Sequence, residues 1–220
     1  GGTYTAVYAL AEDATYVYIG GDFTNFDGIA AADRIVRYNK QTGAYSAMGT
    51  GMNGVVEEII VGPDGSVYAG GSFTLAGGVA NTVGIARWDG SAWNALTTGV
   101  SGGGVFALAF GPDGVLYAGG SFTLAGGVAN TVRIAAWSGY AWSALSTGAA
   151  SSVFALVVSS GNVLYAGGAF TTIGGVSANR IASWNGSAFS ALSTGMSANV
   201  ESLVLSSKIL YAGGTFTTAG

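Results

Sequence analysis

Few side chains here could carry chemistry. Of the 220 residues, seven are Lys or Arg and eleven are Asp or Glu, with no His and no Cys. That removes imidazole bases, thiolate nucleophiles, disulfides and zinc sites built on those ligands. Catalysis would fall to carboxylates, and a hydrolase would need two of them converging on one substrate. The acids are Glu12, Asp13, Asp22, Asp27, Asp33, Glu57, Glu58, Asp64, Asp89, Asp113 and Glu201. Glu57-Glu58 lies in a strand-like run, where alternation sends neighbours to opposite faces. No Asp-x-Asp cluster offers the converging oxygens a calcium ion needs. Asp64 and Asp113 sit in Pro-Asp-Gly turns, where a carboxylate serves the turn backbone. The sequence therefore predicts no enzyme, no metal site and no cofactor.

Residues 49–54 spell G-x-G-x-x-G, but a strand-like run follows at 55–61, whereas a dinucleotide site needs a helix there. The net charge is −4 and the cations are scattered, which argues against nucleic acid. The longest apolar runs, such as Val105–Phe110 and Val153–Val158, hold six residues. A spanning helix needs about 20, and a membrane barrel needs strands of about 9–11, so no membrane span is expected. The remaining candidates are polar loop residues: Asn81, Asn130 and Asn179, with Arg34, Arg133 and Arg180 just before a strand and Gly84 interrupting the series. Amides and guanidinium forks on neighbouring loops could bind glycan hydroxyls several times over. Equally, Asn could hydrogen-bond its own loop and Arg could bridge blades.

These loops belong to a repeat. Gly20-Gly21-Asp22-Phe23-Thr24 returns with its glycine pair at Gly70, Gly119, Gly167 and Gly213, at spacings of 50, 49, 48 and 46 residues. Residues 68–83 and 117–132 are identical. A period of this length fits propeller blades, and the 39 glycines exclude helical repeats.

Each period divides into four strands. In the third they are expected at 105–110, 115–122, 134–137 and 141–145, joined by the turn Gly111-Pro112-Asp113-Gly114, a long loop, and a hairpin turn at Ser138-Gly139. The corresponding Asp89-Gly90 and Asn185-Gly186 suit two-residue type I′ turns. Aromatic residues recur in phase: Tyr38, Trp88, Trp137 and Trp184 on third strands, Tyr45, Trp93, Trp142 and Phe189 on fourth strands. Phe23, Phe73, Phe122, Phe170 and Phe216 follow the glycine pairs. Large rings in register with glycines suit sheets packed face to face, none of which buries its apolar face alone.

The unit Tyr-Ala-Gly-Gly-x-Phe-Thr-x-x-Gly-Gly…Ile-Ala-x-Trp-x-Gly-x-x-Trp-x-x-Leu-x-x-Gly resembles the kelch-like "delta-60" β-propeller repeat over essentially the whole chain. That family occurs in large secreted bacterial proteins and the fungal cortical-marker propeller, and similar blades occur in virion fibres. The resemblance implies a propeller in an extracellular, cell-surface or virion-surface setting, with no shared catalytic motif to carry over. A weaker likeness is to tachylectin-type five-bladed lectins, which bind amino sugars between blades; none of their sugar-binding residues is matched here.

The expected fold is therefore an all-β, five-bladed propeller of four-stranded antiparallel blades forming one domain over 1–220. First and second strands number five but third and fourth strands only four, giving four complete blades and the inner half of a fifth. The hairpin completing the last blade is expected from the remainder of a longer chain or from a neighbouring subunit. The opening Gly, in place of Met, suggests a processed chain or an excerpt of a longer one. The expected role is structural or adhesive, through protein–protein contacts in an oligomeric assembly, with multivalent glycan binding as the alternative.

Overall fold

The computed structural model describes residues 2–220. The chain forms two compact units, Gly1–Val105 and Phe106–Gly220. The first holds two four-stranded sheets. Sheet one runs Tyr4–Glu12, Tyr16–Phe23, Ile35–Asn39 and Tyr45–Ala47, and sheet two runs Val56–Val61, Val67–Gly71, Ile85–Trp88 and Trp93–Ala95. The second unit holds sheets three to five. Sheet three, whose first strand opens at the boundary, is Val105–Phe110, Leu116–Gly120, Ile134–Trp137 and Trp142–Ala144. Sheet four is Val153–Val158, Leu164–Gly168, Ile181–Trp184 and Phe189–Ala191, and sheet five is Val200–Ser206 with Ile209–Gly214. Strands neighbour one another in chain order and pair antiparallel. These are the four complete blades and the two-stranded half-blade of a β-propeller.

The glycine pair works at two levels. A Cβ on Gly20 would lie 2.6 Å from Val56 Cγ1 and 2.8 Å from Ile59 Cδ1. In the second unit the same contact recurs between Gly119 and Val153 (2.7 Å) with Leu156 (3.3 Å), and between Gly167 and Val200 (2.5 Å) with Leu203 (3.3 Å). The first glycine of each pair thus lets the next blade's aliphatic side chains reach the backbone. The second meets its own sheet: a Cβ at Gly21, Gly71, Gly168 or Gly214 would strike the carbonyl oxygen of Ala6, Val55, Ser152 or Asn199.

Val56 and Ile59 are three residues apart, which in a regular strand would put them on opposite faces. A register shift between Val56 and Glu58 corrects this, and the same shift falls at Val7/Ala9, Val153/Ala155 and Val200/Ser202. A bulge adds one unpaired residue and re-aims the strand, so both aliphatics face the neighbouring glycine.

Third and fourth strands bring the paired rings together across their hairpins, tilted by 50–57°: Tyr38 on Tyr45, Trp88 on Trp93, Trp137 on Trp142 and Trp184 on Phe189, with centroids 4.8–5.4 Å apart. Phe23, Phe73, Phe122 and Phe170 are buried to 2% exposure or less. Trp93 also reaches the sheet before it, donating from Nε1 to the Met48 carbonyl oxygen at 2.9 Å.

The hairpin turns differ from expectation. Asp89 N donates to Ala92 O, so the central pair is Gly90-Ser91, one residue later than predicted. Ser138 and Asn185 repeat the pattern with Ala141 and Ala188. Only the glycines, Gly90, Gly139 and Gly186, take positive φ, as a type II′ turn requires. Asp89 Oδ1 accepts from the N–H groups of Ser91 and Ala92, closing the turn with its side chain. Strand limits also shift slightly: Phe122 lies past the strand Leu116–Gly120.

Two substitutions probe this packing. Trp93→Ala removes a buried ring and its hydrogen bond and is expected to cost about 3–5 kcal/mol. Gly20→Val forces bulk onto Val56 and Ile59 and is expected to cost about 1–3 kcal/mol. Urea unfolding of the purified variants checks both.

Candidate functional site

The arginines before each third strand occupy one backbone position. Arg34, Arg133 and Arg180 have φ of 62°, 63° and 66°, a left-handed conformation that non-glycine residues rarely adopt. Arg133 Nη1 donates to Ala149 O and Arg180 Nη1 to Met196 O, both at 2.9 Å. Each thereby ties its third strand to the segment leading out of its own blade. Gly84, φ 68°, holds the same position in sheet two, where a Cβ would strike Val100 Cγ2. Val100 stands where sheet three has Ala149, since Val100 N bonds Val83 O just as Ala149 N bonds Val132 O. Unbranched partners, Ala149 and Met196, accompany arginine, and the β-branched Val100 accompanies glycine.

Arg34 differs from the other two. It lies 3.9 Å from Asp22 Oδ1, and its buried Nε has no hydrogen-bond partner among the described residues. It lines a shallow cavity of about 280 Å³ with Asp33, Thr50, Met52, Asn53 and Leu75. Asn53 is committed to the loop opposite, its amide bonding Thr74 and Leu75.

The three asparagines do not form one set. Asn81 and Asn130 are exposed and left-handed (φ 64° and 63°), each beside a fully buried threonine. Thr82 and Thr131 Oγ1 accept from the N–H of Ala76 and Ala125 and donate to the carbonyls of Val79 and Val128. Asn179 sits two positions later in the register. Its carbonyl accepts from Met196 N, the bond that Val83 and Val132 make, while its Nδ2 donates to Thr194 O. The fourth loop is one residue shorter, which the repeated Gly-Gly-Val spelling conceals.

The acids show what sequence alternation missed. Glu57 is the extra residue of the bulge, so its relation to Glu58 is not that of simple strand neighbours. Burial pushes the Glu58 carboxyl up to about 7, only partly opposed by a backbone N–H bond at Ile59. Burial, then the nearby Asp22 carboxylate, raises Glu57 as well. Asp64 behaves as the turn predicted, accepting from Ser66 N and Oγ and from Arg87 Nη2. Asp113 accepts from Val115 N and from Asn162 Nδ2. No group of three or more His, Cys, Asp or Glu could hold a metal ion among the described residues. Among them, too, no helix is long and apolar enough to cross a membrane.

The second unit has an apolar cavity of about 540 Å³ beside its half-blade, lined by Ile181, Leu192, Met196, Leu210, Phe216 and Ala219 among others. Its walls come from ordinary core positions, so no motif marks it.

No family model matches the chain, and no curated protein matches it. Among solved structures it is similar to the extracellular domain of a one-component system from B. thetaiotaomicron, with TM-score 0.60 and 11% identity over 96% of this chain and 26% of that one. It is also similar to the mitotic checkpoint complex, with TM-score 0.56 and 17% identity over 90% and 53% of the two chains. A gluconolactonase from Xanthomonas campestris gives TM-score 0.52 and 15% identity over 94% and 69%. The chain thus spans about a quarter of that extracellular domain. At these identities the likeness is one of fold, and the fold is the propeller. The gluconolactonase corrects one expectation drawn from the sequence: the same architecture serves an enzyme there, so the absence of His, Cys and a repeated acid pair does not rule out catalysis.

Glu58 gives a pH test. Unfolded, it ionises near 4.3, whereas folded it holds its proton to about 7. Between those values only the native state keeps the proton, so stability falls as pH rises through that window and levels off above it. The first unit is expected to melt higher at pH 5 than at pH 8, and Glu58→Gln should flatten the difference. Gly84→Arg should be destabilising alone and less so by about 1–2 kcal/mol in a Val100→Ala background, measured as a double-mutant cycle in urea.

Proposed function

We propose that the chain is a propeller module of an extracellular or particle-surface assembly, acting through protein–protein contacts made by its blade faces. One observation carries this reading. In the register of first and second strands, Val7 pairs with Gly21 and Leu10 with Ile19, as Val56 pairs with Gly71 and Ile59 with Ala69. Val7 and Leu10 are therefore the counterparts of the aliphatics that lock onto glycines elsewhere. Val56, Ile59, Val153, Leu156 and Val200 are 0–9% exposed, whereas Val7 is 50% and Leu10 67% exposed. Tyr8 beside them is 53% exposed. An apolar group shaped to enter a glycine-floored face, left in water, is the mark of an interaction surface.

Composition supports the setting. Charged residues make up 8% of the chain, well below the usual share for a freely soluble surface. The similar domain from B. thetaiotaomicron is described as extracellular, and the resemblance to the delta-60 repeat points the same way. Glycan binding has less behind it: Arg133, Arg180 and Asn179 direct donors to backbone carbonyls, leaving only Arg34, Asn81 and Asn130 of the six.

Light scattering over a concentration series tests the reading. The chain is expected to associate, and Val7→Asp with Leu10→Asp to return it to a single monomeric species. A wild-type chain that stays monomeric throughout, or associates regardless of those two changes, would overturn it.

A further inference from the structure

We infer that the half-blade is an acceptor for a β-hairpin of the repeat's own third-and-fourth-strand type, supplied from outside these 220 residues. This deepens the proposal that the chain acts through protein contacts, by naming one partner by its chemistry.

The seat is built in the same way in three places, and two of them are filled. In the first unit, Met48 and Met52 at the exit of sheet one share a core with Phe73, Ala76, Trp88 and Trp93 of sheet two. In the second unit, Leu145 and Ala149 share a core with Phe170, Ile173, Trp184 and Phe189. The third seat has Leu192 and Met196 at the exit of sheet four and Phe216 and Ala219 from the half-blade. What stands there in place of the two aromatic rings is the cavity of about 540 Å³.

The half-blade is already set to the same register. Gly77 N bonds Gly51 O and Gly174 N bonds Gly148 O, both at 2.7 Å, and Gly220 N bonds Gly195 O at 3.1 Å. Its outer strand, Ile209–Gly214, pairs among the described residues only with Val200–Ser206. Tyr211 there is 53% exposed, whereas Tyr68 and Tyr117, at the same place in sheets two and three, are 6% exposed. Open backbone groups beside an apolar cavity accept a strand by β-augmentation, with side-chain pockets setting the sequence.

The register of that strand follows from its counterparts. In sheet two Gly70 faces Ile85 and Val67 faces Trp88; in sheet three Gly119 faces Ile134 and Leu116 faces Trp137. Gly213 should accordingly face an isoleucine and Leu210 a tryptophan, with a second ring folding back from the fourth strand into the cavity. A second copy of this chain has no free hairpin to give, because each of its four is paired to its own second strand. The segment it takes is thus one outside these 220 residues, of pattern Ile-Ala-x-Trp-x-Gly-x-x-Trp.

A labelled peptide with the sequence of residues 133–148 is the probe, titrated against the 220-residue chain by fluorescence anisotropy. Saturable binding is expected, weakened at least about tenfold when the peptide carries Trp137→Ala and Trp142→Ala. Gly71 N donates to Gly84 O in sheet two, so alternate N–H groups of the second strand face the third, and Ala212 is at such a position. Ala212→Pro in the chain should weaken binding by at least the same factor. Should that variant misfold, the peptide changes, which carry no folding risk, decide alone. Val7→Asp with Leu10→Asp should leave peptide binding unaltered, so failure of the assembly reading and failure of this one give different results. No binding of the parent peptide, or binding that survives the loss of both tryptophans, would overturn the inference.

Discussion

Both units rest on one steric constraint: an aliphatic pair on the first strand of one sheet must come within van der Waals reach of the backbone of the sheet before it. Only glycine permits that approach, and the contact is the same at Gly20, Gly119 and Gly167. Much else follows from it. The bulge after each valine exists in a geometry that aims two residues, three apart in sequence, at one glycine. The aromatic hairpins lie farther out and fill the space that the close approach of the inner strands leaves open. A blade of eighteen or so strand residues has too little apolar surface to stand alone, so its stability resides in these shared faces.

The same constraint shows at the incomplete faces. Val7 and Leu10, counterparts of the buried aliphatic pairs, leave apolar surface exposed. Where an exit loop has its phenylalanine but no paired rings, as at Leu192 and Met196, a cavity remains. Both features are ordinary interior chemistry placed outside. Its charged groups mostly serve the backbone: Asp89 is held well below the usual carboxylate range by the N–H groups of Ala92 and Ser91, and Asp64 is lowered by Ser66 and Arg87 against the cost of burial.

Much of this was legible in the sequence because a repeat restates its own constraints. Gly-Gly-x-Phe-Thr and the phased Trp pairs announce strand, close approach and ring packing at one spacing, and five restatements leave little freedom for the fold. The details that were hidden depend on one extra or missing residue. The bulge at Glu57 defeats alternation. The shorter fourth loop moves Asn179 out of line with Asn130 although the letters look alike. The turn centre at Gly90-Ser91 differs by one residue from the Asp-Gly pair that the spelling suggests. The left-handed arginines were visible only as an interrupted series, and their link to branching at residue 100, 149 or 196 needs the third dimension. The raised carboxyl of Glu58 likewise depends on what buries it, which its own strand does not encode.

The most direct measurement of the shared-face account is nuclear Overhauser contact between glycine α-protons and the aliphatic methyls of the next sheet. The account predicts strong cross-peaks from Gly20 to Val56 and Ile59, from Gly119 to Val153 and Leu156, and from Gly167 to Val200 and Leu203. Absence of these cross-peaks in the folded chain, with the glycines instead showing contacts only within their own sheets, would contradict it.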